Sequence, residues 1–177
     1  SELGYNVSSK VLSAEAFGVP QKRKRAIFIG NNIGLNSTEL FPKETFKKGS
    51  EVTVWQAISD LPSLQSGKGS ELTEYSSKAH NEYQMKMRDT IDGKFYNHLA
   101  SVHKEKTLEI LRQVKPGQTL KDLPEQYHTK SVHSGAYGRM LKDEPSYTLT
   151  TRPNTPSVGR ITHPIDDRTI TPREAAR

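Results

Sequence analysis

No cysteine occurs in the 177 residues, so a disulfide framework, a thiolate nucleophile and a cysteine zinc site are all excluded. Long apolar runs are missing too. Nothing approaches the ~18 consecutive residues of a membrane helix, and no signal peptide opens the chain. A cytoplasmic protein with no membrane partner is the expectation from these absences. Apolar residues are scarce at 32%, where an ordinary domain has roughly 45–50% with glycine included. The 12 glycines do not close that gap, and mean hydropathy is −0.75. The core is therefore small for the length, with long polar connections or surfaces that meet something else. One Trp, seven Tyr and five Phe are spread along the chain, which argues against wholesale disorder.

What the chain does have is positive charge. Lys and Arg number 26 against 20 acidic residues, a net charge of +6, and this balance favours an anionic partner, usually nucleic acid. The length suits one domain, or one domain plus part of another. The densest basic run is in "GVPQKRKRAIFIG", residues 18–30, where Lys22, Arg23, Lys24 and Arg25 lead straight into an apolar tetrad. A solvated edge or a localisation cluster would explain the charges alone. The strand behind them points instead to a ligand site at a sheet end.

Tyr5, Val7, Ser9 and Val11 alternate as a half-buried strand does. The run Arg25–Ile29 reads as a strand covered on both faces, and the two together read as a long hairpin. Residues 31–48 read as loop. Thr53 to Gln56 carry a capping-box pattern and predict a short helix to about Ser59. Residues 63–80, rich in Ser, Gly, Lys and Glu, read as a flexible excursion. Helices are predicted at 81–89 and 103–114, the second with a stripe of Thr107, Leu108, Leu111 and Val114. A strand is predicted at 146–151. In "RTITPREAAR", Thr171 is a helix N-cap, Pro172 its N1 and Glu174 its N3. So short a helix nucleus is unstable alone, so the chain is expected to be an excerpt of a longer protein.

"AFGVPQKRKRAIFIG" is similar to the Gln-x-Arg-x-Arg motif of the C5-cytosine-specific DNA methyltransferases. "DRTITPREAAR" resembles that family's Arg-x-x-Leu-Thr-x-Arg-Glu-x-x-Arg motif, with Ile170 in place of Leu, and "PSYTLTTR" looks like its Thr-Leu element. The resemblance implies an α+β chain. A small irregular target-recognition domain with a mixed or antiparallel sheet and long loops (49–162) would be attached to the last hairpin of an α/β catalytic sheet (1–48). Residues 163–177 would return to the catalytic domain and start a helix there.

What the family does gives these residues roles. Methylating C5 of a cytosine builds charge on the O2 side of the ring, where a fixed guanidinium stabilises it, and the base must leave the duplex. By resemblance Arg25 contacts O2 of the flipped cytosine. Arg23, on the same strand face, takes phosphate or active-site contacts, Gln21 contacts the DNA backbone or a loop, and Lys22 and Lys24 face away as general electrostatics. Thr148 either bonds a phosphate near the target or is an ordinary strand threonine. Arg139, Arg152 and Arg160 fall in the recognition region and suit guanine edges, phosphates or solvent. Arg168, Arg173, Glu174 and Arg177 match the second motif, with Glu174 ion-paired to these arginines.

Several partners follow. S-adenosylmethionine is expected in the full-length enzyme, with its site outside this fragment, because the family's Gly-rich loop and Pro-Cys motif are not in it. Double-stranded DNA and the missing catalytic region are the expected partners, in a prokaryotic enzyme such as that of a restriction–modification system. The fragment alone is expected to be inactive. His98 and His103, and His128 and His133, are five apart without a fitting acidic cluster, so no metal site is expected; His163 is expected to be structural. A non-catalytic nucleic-acid-binding module, one subunit of a split methyltransferase and a basic structural protein are the competing readings.

Overall fold

Residues 3–88, 93–131 and 133–177 are described by the computed structural model. The alternating segment and the apolar run pair as an antiparallel hairpin of β1 (Asn6–Ser13) and β3 (Lys24–Asn31), with Leu12 opposite Arg25 and Ser9 opposite Phe28. Opposed residues share a face. Val7, Val11, Ala26 and Phe28 therefore form one face, and Leu12, Arg25, Ile27 and Ile29 the other. The expected burial of β3 on both sides is not found: Phe28 is 72% exposed. An apolar run states what a strand can pack against, and here no second layer lies over it. The loop after β3 does return to the hairpin, where Ser37 donates to the side chain and carbonyl of Asn6 and accepts from Asn31.

A 3-10 turn at Ala14–Phe17 follows β1 and ends at Gly18. Its φ of +85° and a neighbouring Phe46 ring, 2.9 Å from where a Cβ would sit, both require glycine. The chain then makes β2 (Gln21–Lys22), which leaves the hairpin and pairs in parallel with β6 (Ser146–Tyr147). The predicted strand at 146–151 is thus shortened to two residues.

Local capping decides the helices. In α1 (Val54–Ile58) the Thr53 hydroxyl accepts from Gln56 N–H and the Gln56 side chain returns to Thr53 N–H, as the pattern predicted. Asn81 caps α2 (Glu82–Met87); Asp89, in the predicted extension, lies outside the described residues. The predicted stripe buries Leu111 of α3 (Glu105–Gln113) and its C-cap Val114, with Ile110 added. α4 (Pro172–Ala176) carries the full Thr171–Glu174 capping box.

The reading of 63–80 as a flexible excursion is corrected. Its centre is β4 (Gly69–Glu74), paired antiparallel to β5 (Lys94–Leu99). Single bridges from Pro116 to Arg139, Arg139 to Thr162 and Thr162 to Thr169 add an irregular ladder. The fold is α+β, with small two-stranded sheets and long connections. One core joins Val54, Ala57 and Ile58 of α1 to Phe95, Met140, Ile161 and Ile170. A second packs α3 against Leu120, Ala136 and Tyr137.

Candidate nucleic-acid interface

The β2–β6 pairing brings two distant motifs side by side. Gln21 is opposite Ser146 and Lys22 opposite Tyr147, Ser146 N–H donates to Pro20 O at 2.9 Å, and the Thr148 hydroxyl donates to Lys22 O at 2.9 Å. Lys22 also forms an ion pair with Glu144 and lies 5.6 Å from the centre of the Tyr147 ring. The hydrogen bond to Glu144 raises the pKa of Lys22. Lys22 is therefore not a spare cation, as expected, but a strut between the strands. The Glu144 carbonyl accepts from Val54 N–H at the start of α1, which ties the junction to the core.

Arg23 and Arg25 do share a face. With Ile27, Leu12, Phe17 and Pro42 they line an open hollow of about 220 Å³. Arg25 Nη1 donates to its neighbour's carbonyl at Lys24 (2.7 Å), and Arg23 N–H is held by Glu15. Burial pushes the Glu15 carboxyl up, but bonds from the Glu15 and Arg23 N–H groups and Ser13 outweigh it and leave the group below its usual range. Among the described residues no acidic side chain pairs with Arg23 or Arg25.

The three arginines of the middle region part company. Arg139 is buried, and its Nε, Nη1 and Nη2 donate to Val114 O (2.7 Å), His163 O (2.9 Å), Leu111 O (2.5 Å) and Asp167 (2.6 Å). It satisfies carbonyls at the end of α3 that the helix itself leaves unpaired, so its placement among arginines facing guanine edges, phosphates or solvent is corrected: it is a buried structural side chain. Arg152 is exposed, with no side-chain partner among the described residues. Arg160 is half-buried; its Nη1 donates to Gly117 O at 2.5 Å, and its guanidinium lies 4.8 Å from the Tyr147 ring centre.

The C-terminal motif forms a buried polar cluster. Arg168 is fully buried and meets Glu174 with two bonds of 2.8 Å, while Asp166 takes a third at 2.8 Å. Burial raises the pKa of Glu174, but the bonds and charge of Arg168 outweigh it and keep the group ionised. Arg173 donates to Tyr96 O at 2.7 Å, and Arg177 to Asp60 at 3.2 Å and Tyr75 at 2.8 Å. The expected pairing of Glu174 is thus with Arg168, not with Arg173 or Arg177. His98 fixes the cap of α4. Its Nε2 faces Pro62 O (2.8 Å) and so carries the proton, leaving Nδ1 to accept from the Thr171 hydroxyl at 3.1 Å, the same oxygen that accepts from Glu174 N–H.

The model of the C-5 cytosine-specific DNA methylases matches residues 1–177. The chain belongs to this family. It is 30% identical over 186 residues to the type II methyltransferase M.DdeI of Desulfomicrobium norvegicum, covering 100% of this chain and 44% of that protein. It is 32% identical over 174 residues to M1.HphI of Haemophilus parahaemolyticus, covering 98% and 38%. A solved prophage-encoded DNA modification methyltransferase from E. coli has a similar fold, with a TM-score of 0.66 at 19% identity, covering 99% of this chain and 50% of that one. The chain thus spans less than half the length of these two curated relatives.

The family's methyl donor, S-adenosylmethionine, is not matched by the cavity behind Phe17–Gln21. This cavity of about 380 Å³ lies between Phe17–Gln21, α1 and α4. Its walls are mostly Val, Ile, Leu, Met and Ala, and its charged members, Glu174 and Arg177, are already paired. A ligand with a ribose and an amino-acid head needs convergent polar groups there. Among the described residues no group of three His, Asp or Glu side chains could hold a metal ion, and no helix is long and apolar enough to cross a membrane. Sequence reasoning missed Asp60, clamped between Arg88 (2.9 Å) and Arg177, and the Lys22–Glu144–Tyr147 strut. The only signal for Asp60 was its place in "DLP", a helix stop.

Proposed function

We propose that this chain is the recognition part of a DNA (cytosine-5)-methyltransferase that transfers a methyl group to C5 of a flipped cytosine in a specific double-stranded DNA sequence. In this reading residues 1–48 end the catalytic domain, 49–162 recognise the target, and 163–177 return to the catalytic domain. Arg25 stabilises charge at O2 of the cytosine, and Arg23 holds a phosphate or the active-site wall. Residues outside this chain supply the nucleophile and bind S-adenosylmethionine, so the chain alone is inactive. M.DdeI and M1.HphI are named as type II methyltransferases, and a restriction–modification role is the corresponding proposal here.

The parallel β2–β6 pairing carries this reading. It sets the Thr-Leu element directly beside the Gln-x-Arg-x-Arg motif, leaving two arginines on one open face without acidic partners. In water, the adjacent cations Arg23, Lys24 and Arg25 repel, while Lys22 is paired with Glu144. Next to a phosphate backbone they are neutralised, and a guanidinium aimed at a developing oxyanion lowers the barrier with no reorganisation. In the full-length enzyme, Arg25→Ala should lower single-turnover methyl transfer by about 10²–10³-fold, with DNA affinity changed far less. An equal fall in both would mean that Arg25 only positions the backbone, and would overturn its assignment.

A further inference from the structure

Arg160 is held on three sides. Its stem lies in a slot between Gly135 and Gly138, where an added Cβ would sit 3.2 and 2.5 Å from its Cγ. Its Nη1 is tied to Gly117 O at 2.5 Å, and its guanidinium is stacked 4.8 Å from the centre of the Tyr147 ring. No acidic side chain pairs with it among the described residues; Asp122 feels its charge only at a distance. The result is a net positive charge in a fixed position, beside a half-exposed aromatic ring and against the β2–β6 junction.

The neighbouring Thr148 cannot do this work in the state seen here. A hydroxyl has one hydrogen, and that of Thr148 is donated to Lys22 O. A phosphodiester oxygen only accepts, so Thr148 has nothing to offer it while the junction is closed. Base readout in the major groove, in turn, needs a guanidinium that extends to present two parallel N–H groups to a base edge. One with its stem in a slot, one Nη tied and one face covered is not free to extend in that way.

We propose that Arg160, stacked on Tyr147, is a preformed seat for a DNA backbone phosphate next to the β2–β6 junction, and that it anchors the duplex without reading its sequence. This rests on the DNA-recognition reading above. The seat lies beside the strand that continues into Arg23 and Arg25, so a phosphate fixed there sets the register of the duplex against them.

The test uses the 177-residue chain and mixed-sequence duplex DNA, titrated across a range of NaCl concentrations. Arg160→Gln should make the slope of log affinity against log salt shallower by about one. Arg160→Lys, which keeps the stem and charge, should retain the slope with weaker binding. Selection from a randomised duplex pool should give the same base preferences for wild type and Arg160→Gln. An unchanged slope in Arg160→Gln with native-like unfolding, or lost preference at one base pair, overturns the seat while leaving DNA recognition standing. A wild-type chain without DNA affinity at low salt overturns the recognition reading and the seat together.

Discussion

Glu174 is an ionised carboxylate in a buried position, and burying it would cost several kcal/mol without partners. Arg168 supplies two bonds and Thr171 N–H a third, at 2.7 Å, so one side chain closes an ion pair and a capping box together. His163 completes the cluster as a neutral base. Its Nδ1 accepts from Ile165 N–H (3.2 Å) and Asp166 N–H (2.8 Å), which puts the ring proton on Nε2, 3.6 Å from Glu174. Burial lowers its pKa from 6.5 to about 4, although Glu174 and Asp166 pull upward and Arg168 and Arg139 downward. Below 6.5 the unfolded chain therefore takes up a proton that the folded chain refuses. The stability from this group is complete above pH 6.5 and drains away as pH falls towards 4. The loss should reach about 2 kcal/mol at pH 5. Asp166 and Glu174, whose pKa values are lowered, shed their contribution only below about pH 4.5. His163→Asn, whose Oδ1 can take the place of Nδ1, should reduce the fall in urea stability between pH 7 and 5, the remainder coming from His98 and His103, which burial also holds below the usual histidine range. A wild-type chain equally stable at both values would mean that the ring is not held neutral by the fold.

At the scale of elements, β5 shows why part of the fold was hidden in the sequence. Phe95 and His98 are both buried, three positions apart, where a regular strand would put them on opposite faces. Asn97 reconciles them with φ +66°, in the left-handed region, and the pairing skips from Ser70–His98 to Leu72–Tyr96. That left-handed residue, with the register unchanged on either side of it, sends Phe95 into the main core and His98 to the cap of α4. It also destroys the alternation by which a strand is recognised. Asn97→Gly should leave unfolding stability within about 1 kcal/mol, because glycine tolerates the conformation. Asn97→Val should cost about 1–3 kcal/mol in a denaturant titration, and equal stability of the two variants would mean that position 97 is not held in the left-handed region. The partner strand β4, "GSELTE", has too little apolar character to announce itself. The capping boxes of α1 and α4 were legible because they depend on residues three apart, as was the stripe of α3. Contacts between residues far apart in the chain, such as Arg177 with Asp60 or Arg139 with the end of α3, leave no local trace: a buried arginine and a DNA-facing one look alike in sequence.

On the scale of the molecule, the imbalance between the two regions is the main physical fact. Residues 52–177 contain both buried cores, while the β1–β3 hairpin keeps Val7, Val11 and Phe28 open on one face and Ile27 on the other. Apolar strand surface of this kind is an association site or an aggregation liability, and the two-sided burial expected of β3 is not met by any layer among the described residues. If the hairpin belongs to a catalytic sheet, as proposed, one substitution must have two different costs. In the 177-residue chain Phe28 is mostly in water, so Phe28→Ala should shift unfolding by no more than about 0.5 kcal/mol and should reduce aggregation. In the full-length enzyme the same ring would sit in a packed interior, and its removal should cost about 3–5 kcal/mol. Urea unfolding of both proteins with and without the substitution makes the comparison. Equal, small effects in the two contexts would mean that the face stays open in the intact enzyme, and the hairpin would then have to be sought at a surface that meets DNA or another protein.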